Sequence, residues 1–515
     1  MKKKIELNQQ FKKALELMEK TSNVFVTGKA GTGKSTLLDY FRNNTKKKIV
    51  VLAPTGVAAI NVKGQTIHSF FGFKPNISLS GVQRKYPKDD KKNIYSKLDA
   101  IVIDEISMVR ADLLDCVDKF MRLNGKTKEL PFGGTQMIFI GDLYQLPPVV
   151  TGEERILFRT DYQSPYFFSA KVFENFKMEL LELNKIYRQK DSEFIDLLNS
   201  IRNNSILPEG LEKLNAKLDL AFQSNDEDFY VYLTTTNSMA ETINQEKIEK
   251  KAGKLYFLQG NISGNFDSKY LPTAKDLLLK IDSQIMLLNN DPLGRWVNGS
   301  IGKIISIDKQ ERIIRALLNN GKTVEVEPHT WEIFNYSYDA EAKKIKSKIV
   351  GSFTQYPLKL AWAITIHKSQ GKTFDKVIID IGSGTFSHGQ IYVALSRCTS
   401  FEGIILKKPI QKKHIFMDYR VVKFITGYQY NLSEENFSLE EKTRIIKEAI
   451  KNKTPLEITY LRANDTKSQR KIHPRRVGEM EYQGVKYLGI EAFCLLRREE
   501  RVFRVDRILE MKVGG

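Results

Sequence analysis

Cysteine and long apolar segments are both scarce in this chain. Its 515 residues include three cysteines, at positions 116, 398 and 494, and none of them belongs to a Cys-x-x-Cys pair. A cysteine zinc site and a disulfide framework are therefore not expected, which fits a reducing cytosol. No apolar run reaches membrane-spanning length, and no apolar segment of a secretory signal follows the basic N-terminus. The sequence predicts a cytoplasmic protein with no membrane partner, associated with the nucleoid if it is bacterial.

Positive charge is in excess. The chain has 81 Lys and Arg residues against 61 Asp and Glu residues, a net charge of +20. This balance favours a polyanionic partner, most simply nucleic acid, although a generally lysine-rich proteome would produce the same excess. The length is sufficient for three to four domains.

Short apolar runs that end at polar or glycine-bearing motifs dominate the first third of the chain. They predict parallel strands separated by helices, and ligands bind at the carboxyl ends of such strands. We therefore expect the motifs to meet at one edge of a doubly wound α/β domain that covers residues 1–183. The predicted strands are residues 23–27, 49–52, 100–103 and 137–140.

A second α/β domain is predicted over residues 184–266 and 359–430, from apolar runs at 231–233, 361–364, 377–379 and 404–406. The interruption, residues 267–358, reads as short strands with turns. Asn320-Gly321 lies between two alternating segments there, a strong hairpin indication. A small β-barrel inserted into the second α/β domain is the expected architecture.

The C-terminal region differs in composition. Residues 431–452 are predicted to form a linker and a helix, because Ser438 and Glu441 have capping-box spacing. Residues 453–515 alternate apolar and polar side chains, which predicts a separate small β domain.

A P-loop follows the first predicted strand. The segment 28–35 reads Gly-Lys-Ala-Gly-Thr-Gly-Lys-Ser and leads into a predicted helix. Its backbone amides would cradle the β- and γ-phosphates of a nucleoside triphosphate, Lys34 would add a positive charge, and the Ser35 hydroxyl would ligate Mg²⁺. The alternative is a fortuitous glycine loop. The predicted cofactor-binding residues here are Gly28, Gly31, Thr32, Gly33, Lys34, Ser35 and Thr36.

Polar residues at two further strand ends favour hydrolysis over simple binding. Asp104 can hold the magnesium, and Glu105 can orient and deprotonate the attacking water. The alternative is a surface acidic pair that caps a helix. Gln145 can contact the γ-phosphate and the water. Arg188 and Arg397 are candidate arginine fingers, although an arginine more often forms a salt bridge.

Two segments are candidates for nucleic-acid contact. Pro54, Thr55 and Gly56 combine a small hydroxyl with exposed amides that suit phosphates, and His68 and Phe70 can stack on bases. Core packing is the alternative for Phe70.

In this order and spacing the motifs resemble those of a superfamily-one helicase of the RecD-like branch, in the Pif-type (petite integration frequency) group, over residues 5–425. The segment 112–136, which ends Pro-Phe-Gly-Gly-x-Gln, resembles the signature that separates Pif-type enzymes from their relatives. The other matching segments are 28–35, 53–59, 66–71, 141–149, Arg-Trp-Val-Asn-Gly-Ser at 295–300, Ala-x-Thr-Ile-His-Lys-Ser-Gln-Gly at 363–371 and Tyr-Val-Ala-Leu-Ser-Arg at 392–397.

The resemblance implies ATP-driven 5′-to-3′ translocation on single-stranded DNA, with unwinding of tailed duplexes, and leaves quadruplex DNA open as a substrate. It implies two RecA-like motor domains, a wedge near residues 57–97 and a Src-homology-three-like barrel. It adds an adenine-reading glutamine, Gln9 or the favoured Gln10. It also adds Gln370 and Gly371 to the nucleotide site, and Thr365, His367 and Lys368 to the DNA contacts. Separately, we expect the chain to be a monomer.

The C-terminal segment is similar to the WYL domain. Tyr487-Leu488, Cys494-x-x-Arg497 and Arg504-x-Asp506 carry the similarity, with Lys486 where the usual Trp would stand. Residues 453–515 contain 14 basic and 9 acidic residues. A nucleic-acid or small-ligand site and a purely structural barrel remain alternatives. The rival functions for the whole chain are a translocase that acts on RNA or displaces proteins, and a ligand-gated nucleic-acid-binding regulator.

Overall fold

The computed structural model forms two compact units. One contains Met1–Asn199 and Leu207–Ile415, and the other contains Ser200–Ile206 and Phe416–Gly515. Residues 75 and 88–91 of the predicted wedge, and residues 269–270 and 340–343 of the predicted insertion, lie outside the described residues. The residues that the structure describes are 7–74, 76–87, 92–150, 152, 154–225, 227–268, 271–339, 344–463 and 466–513.

A parallel sheet organises the first part of the larger unit, which we call the first lobe. In the described chain its strand order is β3-β2-β4-β5-β1-β6, and every pairing is parallel. The expected meeting of motifs at one edge of this sheet is therefore confirmed. The strands are β1 (Asn23–Gly28), β2 (Ile49–Ala53), β3 (Gln65–Thr66), β4 (Ala100–Ile103), β5 (Gln136–Ile140) and β6 (Met178–Leu183).

Helices cover this sheet with their apolar faces. Phe11 and Leu17 in the first helix, and Leu37 and Phe41 in the second, are buried in one cluster with strand residues such as Val26. This packing fixes the loop between β1 and the second helix. The helices of the lobe are α1 (Gln9–Glu19), α2 (Lys34–Asn44), α3 (Gly56–Asn61), α4 (Ile67–Phe71), α5 (Ala111–Asn124) and α6 (Glu154–Thr160).

The rest of the larger unit contains a second parallel sheet and an antiparallel insertion. The helices from residue 192 to residue 396 are α7 (Ser192–Arg202), α8 (Pro208–Asn215), α9 (Asn237–Lys250) and α10 (Gln390–Ser396). The strands are β7 (Val231–Thr234), β8 (Tyr256–Gln259), β9 (Asn261–Gly264), β10 (Asp276–Leu279), β11 (Gln284–Leu287), β12 (Ile301–Asp308), β13 (Ile313–Leu318), β14 (Thr323–Val326), β15 (His329–Asp339), β16 (Lys344–Gln355), β17 (Leu358–Leu360), β18 (Ala363–Thr365), β19 (Val377–Asp380) and β20 (Ile404–Leu406).

The second lobe is built on the parallel order β18-β7-β19-β20. The single strand predicted over residues 361–364 is wrong in its bounds. The chain forms two short strands instead, because β17 pairs with β11 of the insertion whereas β18 pairs with β7 of the second lobe. The residues between them carry the chain from one sheet to the other.

The insertion has an antiparallel sheet of order β14-β13-β12-β11-β17 within the described residues. The predicted hairpin at Asn320-Gly321 is confirmed, since β13 and β14 flank it and Gly321 has a φ of 80°. The strands begin at Tyr256, earlier than predicted, because β8 pairs with β10 and shares its core. The long hairpin β15–β16 reaches the first lobe, where the Tyr336 and Phe70 rings lie 6.0 Å apart.

The smaller unit combines two helices with an antiparallel sheet. Ile446 and Ala449 of the second helix are buried against the sheet, and the Ser438 hydroxyl caps that helix by accepting from the Glu441 amide at 3.2 Å. The predicted linker at 431–452 is thus largely helical and part of this unit, which begins before the predicted boundary at 430. Its elements are α11 (Tyr419–Asn436), α12 (Leu439–Asn452), β21 (Leu456–Leu461), β22 (Lys467–Tyr482), β23 (Val485–Cys494), β24 (Glu499–Arg504) and β25 (Ile508–Val513).

Among the helices of the described residues, none has both the length and the apolar character needed to cross a bilayer.

Candidate active site

The P-loop joins β1 to α2, and glycine conformations shape it. Gly31 and Gly33 have φ angles of 79° and 87°, a region that side-chain-bearing residues rarely adopt. Gly33 caps α2 and offers no side-chain acceptor to the first turn, so a phosphate can accept there. Lys34 Nζ donates to the carbonyl oxygens of Gly28 at 2.6 Å and Lys29 at 3.1 Å. These contacts hold the ammonium against the loop.

The hydroxyl residues of the P-loop differ in exposure. Thr32 is buried and donates its hydroxyl to the carbonyl oxygen of Lys29 at 2.9 Å, which makes it part of the loop's internal structure. Ser35 and Thr36 are exposed in the first turn of α2. Their hydroxyls are therefore accessible to a nucleotide and its metal.

Asp104 and Glu105 follow β4 at the same sheet edge. Burial, reinforced by the charge of Glu105, raises the pKa of Asp104 to about 7, while Lys34 opposes the shift. Burial also raises the pKa of Glu105, against the positive charges of Lys34 and Arg397. Glu105 has a φ of 51°, a left-handed conformation that is costly for a residue with a side chain and is often found at active sites. Both carboxylates therefore depend on nearby positive charge for ionisation.

Magnesium would be held by few protein atoms. Within the part of the chain that the structure describes, no group of three or more His, Cys, Asp or Glu side chains could hold a metal. Mg²⁺ commonly binds through one or two protein ligands together with waters and substrate phosphates. The exposed hydroxyl of Ser35 and the carboxylate of Asp104 fit that pattern.

Gln370 of the second lobe reaches two residues of the first. Its Nε2 lies 3.1 Å from Glu105 Oε2 and 3.2 Å from Gln145 Oε1. Gln145 Nε2 in turn donates to Asp142 Oδ2 at 3.3 Å. Gly371, with a φ of 78°, directly follows Gln370. The structure thus brings together side chains that lie far apart in the sequence.

Arg188 and Arg397 lie together beside this network. Arg188 Nη1 donates to the Ser396 carbonyl oxygen at 3.0 Å, and Arg397 Nε donates to the Val393 carbonyl oxygen at 3.0 Å. Burial lowers the pKa of Arg397 to about 9, and the charge of Arg188 adds to that effect. A buried guanidinium group, Arg397, and a half-buried one, Arg188, in the same region favour an anion near them, as a nucleotide phosphate would provide.

Residues with no role predicted from their sequence also belong to the site. The Ala30 amide of the P-loop donates to Tyr392 Oη at 2.9 Å, and Gln189 Nε2 donates to the carbonyl oxygens of Ser396 at 3.0 Å and Cys398 at 2.8 Å. A Cβ on Gly31 would come within 2.6 Å of Arg188 Cβ. Tyr392 stands in the motif that ends at Arg397, so its position in the sequence was the available indication.

The N-terminus of α1 lies beside the P-loop. The Phe11 ring is close enough that a Cβ on Gly33 would lie 3.0 Å from it, and Asn8 caps the helix by accepting from the Phe11 amide. Gln10 Oε1 accepts from the Asn184 amide at 2.9 Å, whereas Gln9 is exposed. Of these two candidate glutamines, Gln10 is therefore the one with a side chain held by a hydrogen bond to the protein.

The first-lobe candidates for DNA contact follow β2 and β3. Thr55 caps α3, and its hydroxyl accepts from the Ala58 amide at 3.3 Å. Pro54 and His68 are half-buried, Thr55 is exposed, and Gly56 is buried. Burial and Arg110 lower the pKa of His68, so its imidazole is mainly neutral at pH 7.

Phe70 is placed differently from the base-stacking prediction. Its side chain is 5% exposed and packs edge-on against Phe71 at 4.9 Å, Tyr95 at 5.3 Å and Tyr336 at 6.0 Å. Each centroid distance is within the range of an aromatic pair. Core packing, the alternative considered for this residue, describes Phe70 in this structure.

The second-lobe candidates follow β18. Thr365 is buried and its hydroxyl accepts from the Lys368 amide at 3.2 Å, whereas the Lys368 side chain is exposed. The His367 ring stacks on Phe386 with centroids 6.0 Å apart and planes 8° apart. Phe386 is 64% exposed and was not identified from the sequence, because a lone aromatic residue carries no motif.

These features define the class of protein to which the chain belongs. The chain is a P-loop protein with two parallel α/β lobes, in which Gln370 of the second lobe contacts the predicted catalytic carboxylate of the first. A PIF1-like helicase profile matches residues 6–209, a UvrD-like helicase C-terminal domain profile matches residues 360–400, and a WYL domain profile matches residues 441–513.

Comparisons that cover most of the chain identify the family. The chain is 34% identical over 437 residues to the ATP-dependent DNA helicase Pif1 of Bdellovibrio bacteriovorus, covering 82% of this chain and 93% of that one. It therefore belongs to the PIF1-like helicase family. Bacteroides Pif1 in complex with ADP-AlF4 matches with a TM-score of 0.75 and 36% identity, and Bacteroides Pif1 bound to ssDNA with 0.61 and 38%. Each structural match covers 83% of this chain and 98% of the other.

Proposed function

We propose that this chain is an ATP-dependent DNA helicase that moves 5′ to 3′ along single-stranded DNA and unwinds duplex DNA in genome maintenance. The observation that carries the proposal is Gln370, which crosses from the second lobe to Glu105 and Gln145 of the first. Such a contact lets the opening and closing of the lobes control hydrolysis. The names of the relatives support ATP and DNA as substrates, and the direction of movement rests on family resemblance.

In the proposed mechanism, both lobes are RecA-like motor domains that enclose the nucleotide. Lys34 and the P-loop amides bind the phosphates, and Glu105 orients and deprotonates the attacking water. Magnesium bound at Ser35 and Asp104 would neutralise phosphate charge. Arg188 and Arg397 stabilise the negative charge of the transition state. The neighbouring Gln145, Gln370 and Gly371 report the state of the nucleotide across the lobe boundary.

DNA is proposed to bind across the same two lobes. Exposed Thr55 and Lys368 can contact phosphates, with Pro54, Gly56, His68, Thr365 and His367 shaping the surface. We assign residues 57–97 to a wedge and the β8–β17 region to a barrel-like insertion, both as expected from the family. A monomeric state and a cytoplasmic location stay predictions.

Strand separation tests the proposed direction. Partial duplexes with either a 5′ or a 3′ single-stranded tail are incubated with the protein, ATP and Mg²⁺, and the released strand is measured. Release from the 5′-tailed substrate alone is the expected result. Release from the 3′-tailed substrate alone would contradict the assignment, and release from neither in the presence of DNA-stimulated hydrolysis would favour the rival translocase.

Gln10 provides a prediction on nucleotide choice. Gln10→Ala should raise the KM for ATP about five- to tenfold, because one hydrogen bond to the adenine is lost. The KM for GTP should change less, so the preference for ATP narrows. Gln9→Ala is the matched control, since Gln9 is exposed and should leave both constants unchanged. Equal KM values for ATP in the two variants would contradict the assignment of Gln10 to the adenine site.

We also propose that the smaller unit binds a polyanion, most simply single-stranded DNA. Arg470 is 8% exposed, its Nε donates to Ser468 Oγ at 3.3 Å, and its buried Nη1 has no hydrogen-bond partner among the described residues. Burial lowers the pKa of Arg470, and the charges of Arg462 and Arg497 add to this. A buried, incompletely paired guanidinium among like charges favours an anionic ligand.

Photocrosslinking of a single-stranded oligonucleotide to the full chain tests this site. We expect crosslinked peptides from residues 456–513, with a severalfold lower yield for Arg470→Ala and for Arg497→Ala. The Arg497 side chain is exposed, so its variant keeps the test valid if Arg470→Ala is unstable. Arg475→Ala is the control, because Arg475 pairs with Glu500 at 2.7 Å. An unchanged crosslinking yield in both test variants would favour the alternative that this unit is a purely structural barrel.

A further inference from the structure

One side chain of the insertion contacts both lobes. Asn298, in the loop between β11 and β12, donates from Nδ2 to Asn61 Oδ1 of the first lobe at 2.8 Å. Its Oδ1 accepts from Lys372 Nζ of the second lobe at 2.7 Å. A single amide group therefore bridges three parts of the larger unit with both of its polar atoms.

The loop holds this amide in place. The backbone N–H of Asn298 donates to Asn290 Oδ1 at 2.8 Å, and the next residue, Gly299, has a φ of 99°. A Cβ on Gly299 would lie 3.5 Å from the Lys372 Cβ, so the loop backbone packs directly on the lysine stem. The backbone of Asn298 is thus held by its own loop and by packing on Lys372.

The two ends of the bridge lead to different functional elements. Asn61 is the last residue of α3, the helix that begins at the DNA-contact candidate Gly56 and that Thr55 caps. Lys372 comes two residues after Gln370, and its carbonyl oxygen lies 3.5 Å from Nη1 of Arg397. The path from α3 to the arginine of the nucleotide site therefore consists of two short hydrogen bonds at Asn298 and one longer contact between Lys372 and Arg397.

Lys372 needs the acceptor that Asn298 provides. Its side chain is 8% exposed, and burial lowers its pKa to about 8. An ammonium group removed from water is stabilised by a hydrogen-bond acceptor at short distance. Loss of the Asn298 carbonyl oxygen would therefore leave the Lys372 ammonium without this acceptor and break the link to α3.

We propose that Asn298 is a positioning residue that couples DNA engagement at α3 to ATP hydrolysis, by joining Asn61 to Lys372 across the insertion. This inference rests on the proposed function. It predicts that the contact contributes to the stimulation of hydrolysis by DNA rather than to hydrolysis itself, because Asn298 touches neither the P-loop nor the predicted catalytic side chains.

The test compares the kcat of ATP hydrolysis with saturating single-stranded DNA and without DNA. Asn298→Ala and Asn61→Ala should each lower the ratio of the two values about fivefold or more, the usual size of a coupling between sites. The double variant should be no worse than Asn298→Ala, because both changes break the same link. Asn298→Asp keeps an acceptor for Lys372 and can accept from a rotated Asn61 amide, so it should retain most of the stimulation.

Asn319→Ala is the matched control. Asn319 Nδ2 donates to Asp375 Oδ2 at 2.8 Å, so it joins the insertion to the second lobe through a contact that does not involve Asn61. This variant should keep the wild-type ratio. The inference is overturned if Asn298→Ala behaves like Asn319→Ala, or if the effects of Asn61→Ala and Asn298→Ala add.

Two further outcomes are separable. If thermal denaturation shows that Asn298→Ala is not folded, the test rests on Asn61→Ala alone, since Asn61 is exposed at the end of a helix. A wild-type stimulation ratio in Asn61→Ala then refutes the coupling, and a lowered ratio supports it. If the wild-type protein shows no stimulation by DNA at all, the proposed function fails, and the inference fails with it for that separate reason.

Discussion

Lys34→Ala is expected to lower the kcat of ATP hydrolysis by at least ~100-fold, the scale seen when one preorganised group that stabilises transition-state charge is removed. Unwinding should be lost with it. Lys34 Nζ lies against the P-loop carbonyls of Gly28 and Lys29, and in the proposed mechanism it binds the phosphates from there. Binding of single-stranded DNA should remain measurable, because the candidate DNA contacts are on other loops. Steady-state turnover and fluorescence anisotropy with a labelled oligonucleotide check both parts.

Lys46→Ala is the control for this variant. Lys46 is an exposed lysine after α2, so the change removes the same charge from the same lobe without touching the loop. It should leave turnover unchanged. Retained turnover in Lys34→Ala would refute the P-loop assignment, and loss of activity in both variants would indicate an effect of net charge.

Glu105→Gln should reduce hydrolysis about 10²- to 10⁴-fold, the range typical of a general base, while ATP still binds. The substitution keeps the shape of the side chain and an oxygen that can accept from Gln370, so the contact between the lobes can persist. The protein should therefore stall in its ATP-bound state on DNA. Single-turnover hydrolysis measured beside equilibrium binding of a fluorescent ATP analogue separates the two steps.

Glu129→Gln serves as the matched change for Glu105, because Glu129 is an exposed glutamate of the same lobe. It should hydrolyse ATP at the wild-type rate. Normal hydrolysis by Glu105→Gln would remove Glu105 from the role of base. Loss of ATP binding in that variant would instead indicate a structural function for this carboxylate.

Local patterns in the sequence were enough to predict the parallel sheet of the first lobe. The strand ends at Gly28, Ile103 and Ile140 each precede a polar motif, and parallel pairing necessarily brings those ends to one edge. The Asn320-Gly321 hairpin and the Ser438 cap were predictable for the same reason, because turn and cap chemistry depends on adjacent residues.

Contacts between distant segments could not be predicted from local sequence patterns. The hydrogen bond from Ala30 to Tyr392 joins residues 362 positions apart, and no local pattern encodes it. The burial of Phe70 depends on its contacts with Tyr95 and Tyr336, which are distant in the sequence, so local sequence could not predict it. The division between β17 and β18 likewise follows from the partner strands, which only the tertiary structure reveals.

The most direct test of the central claim is steady-state ATP hydrolysis with no nucleic acid, with single-stranded DNA and with single-stranded RNA of the same sequence. We expect DNA to stimulate turnover well above the rate without nucleic acid and above the rate with RNA, because in the proposed mechanism the lobes close on DNA and complete the site around Glu105 and Gln370. Turnover that is indifferent to DNA would contradict this expectation. Stimulation by RNA alone would favour the RNA translocase instead.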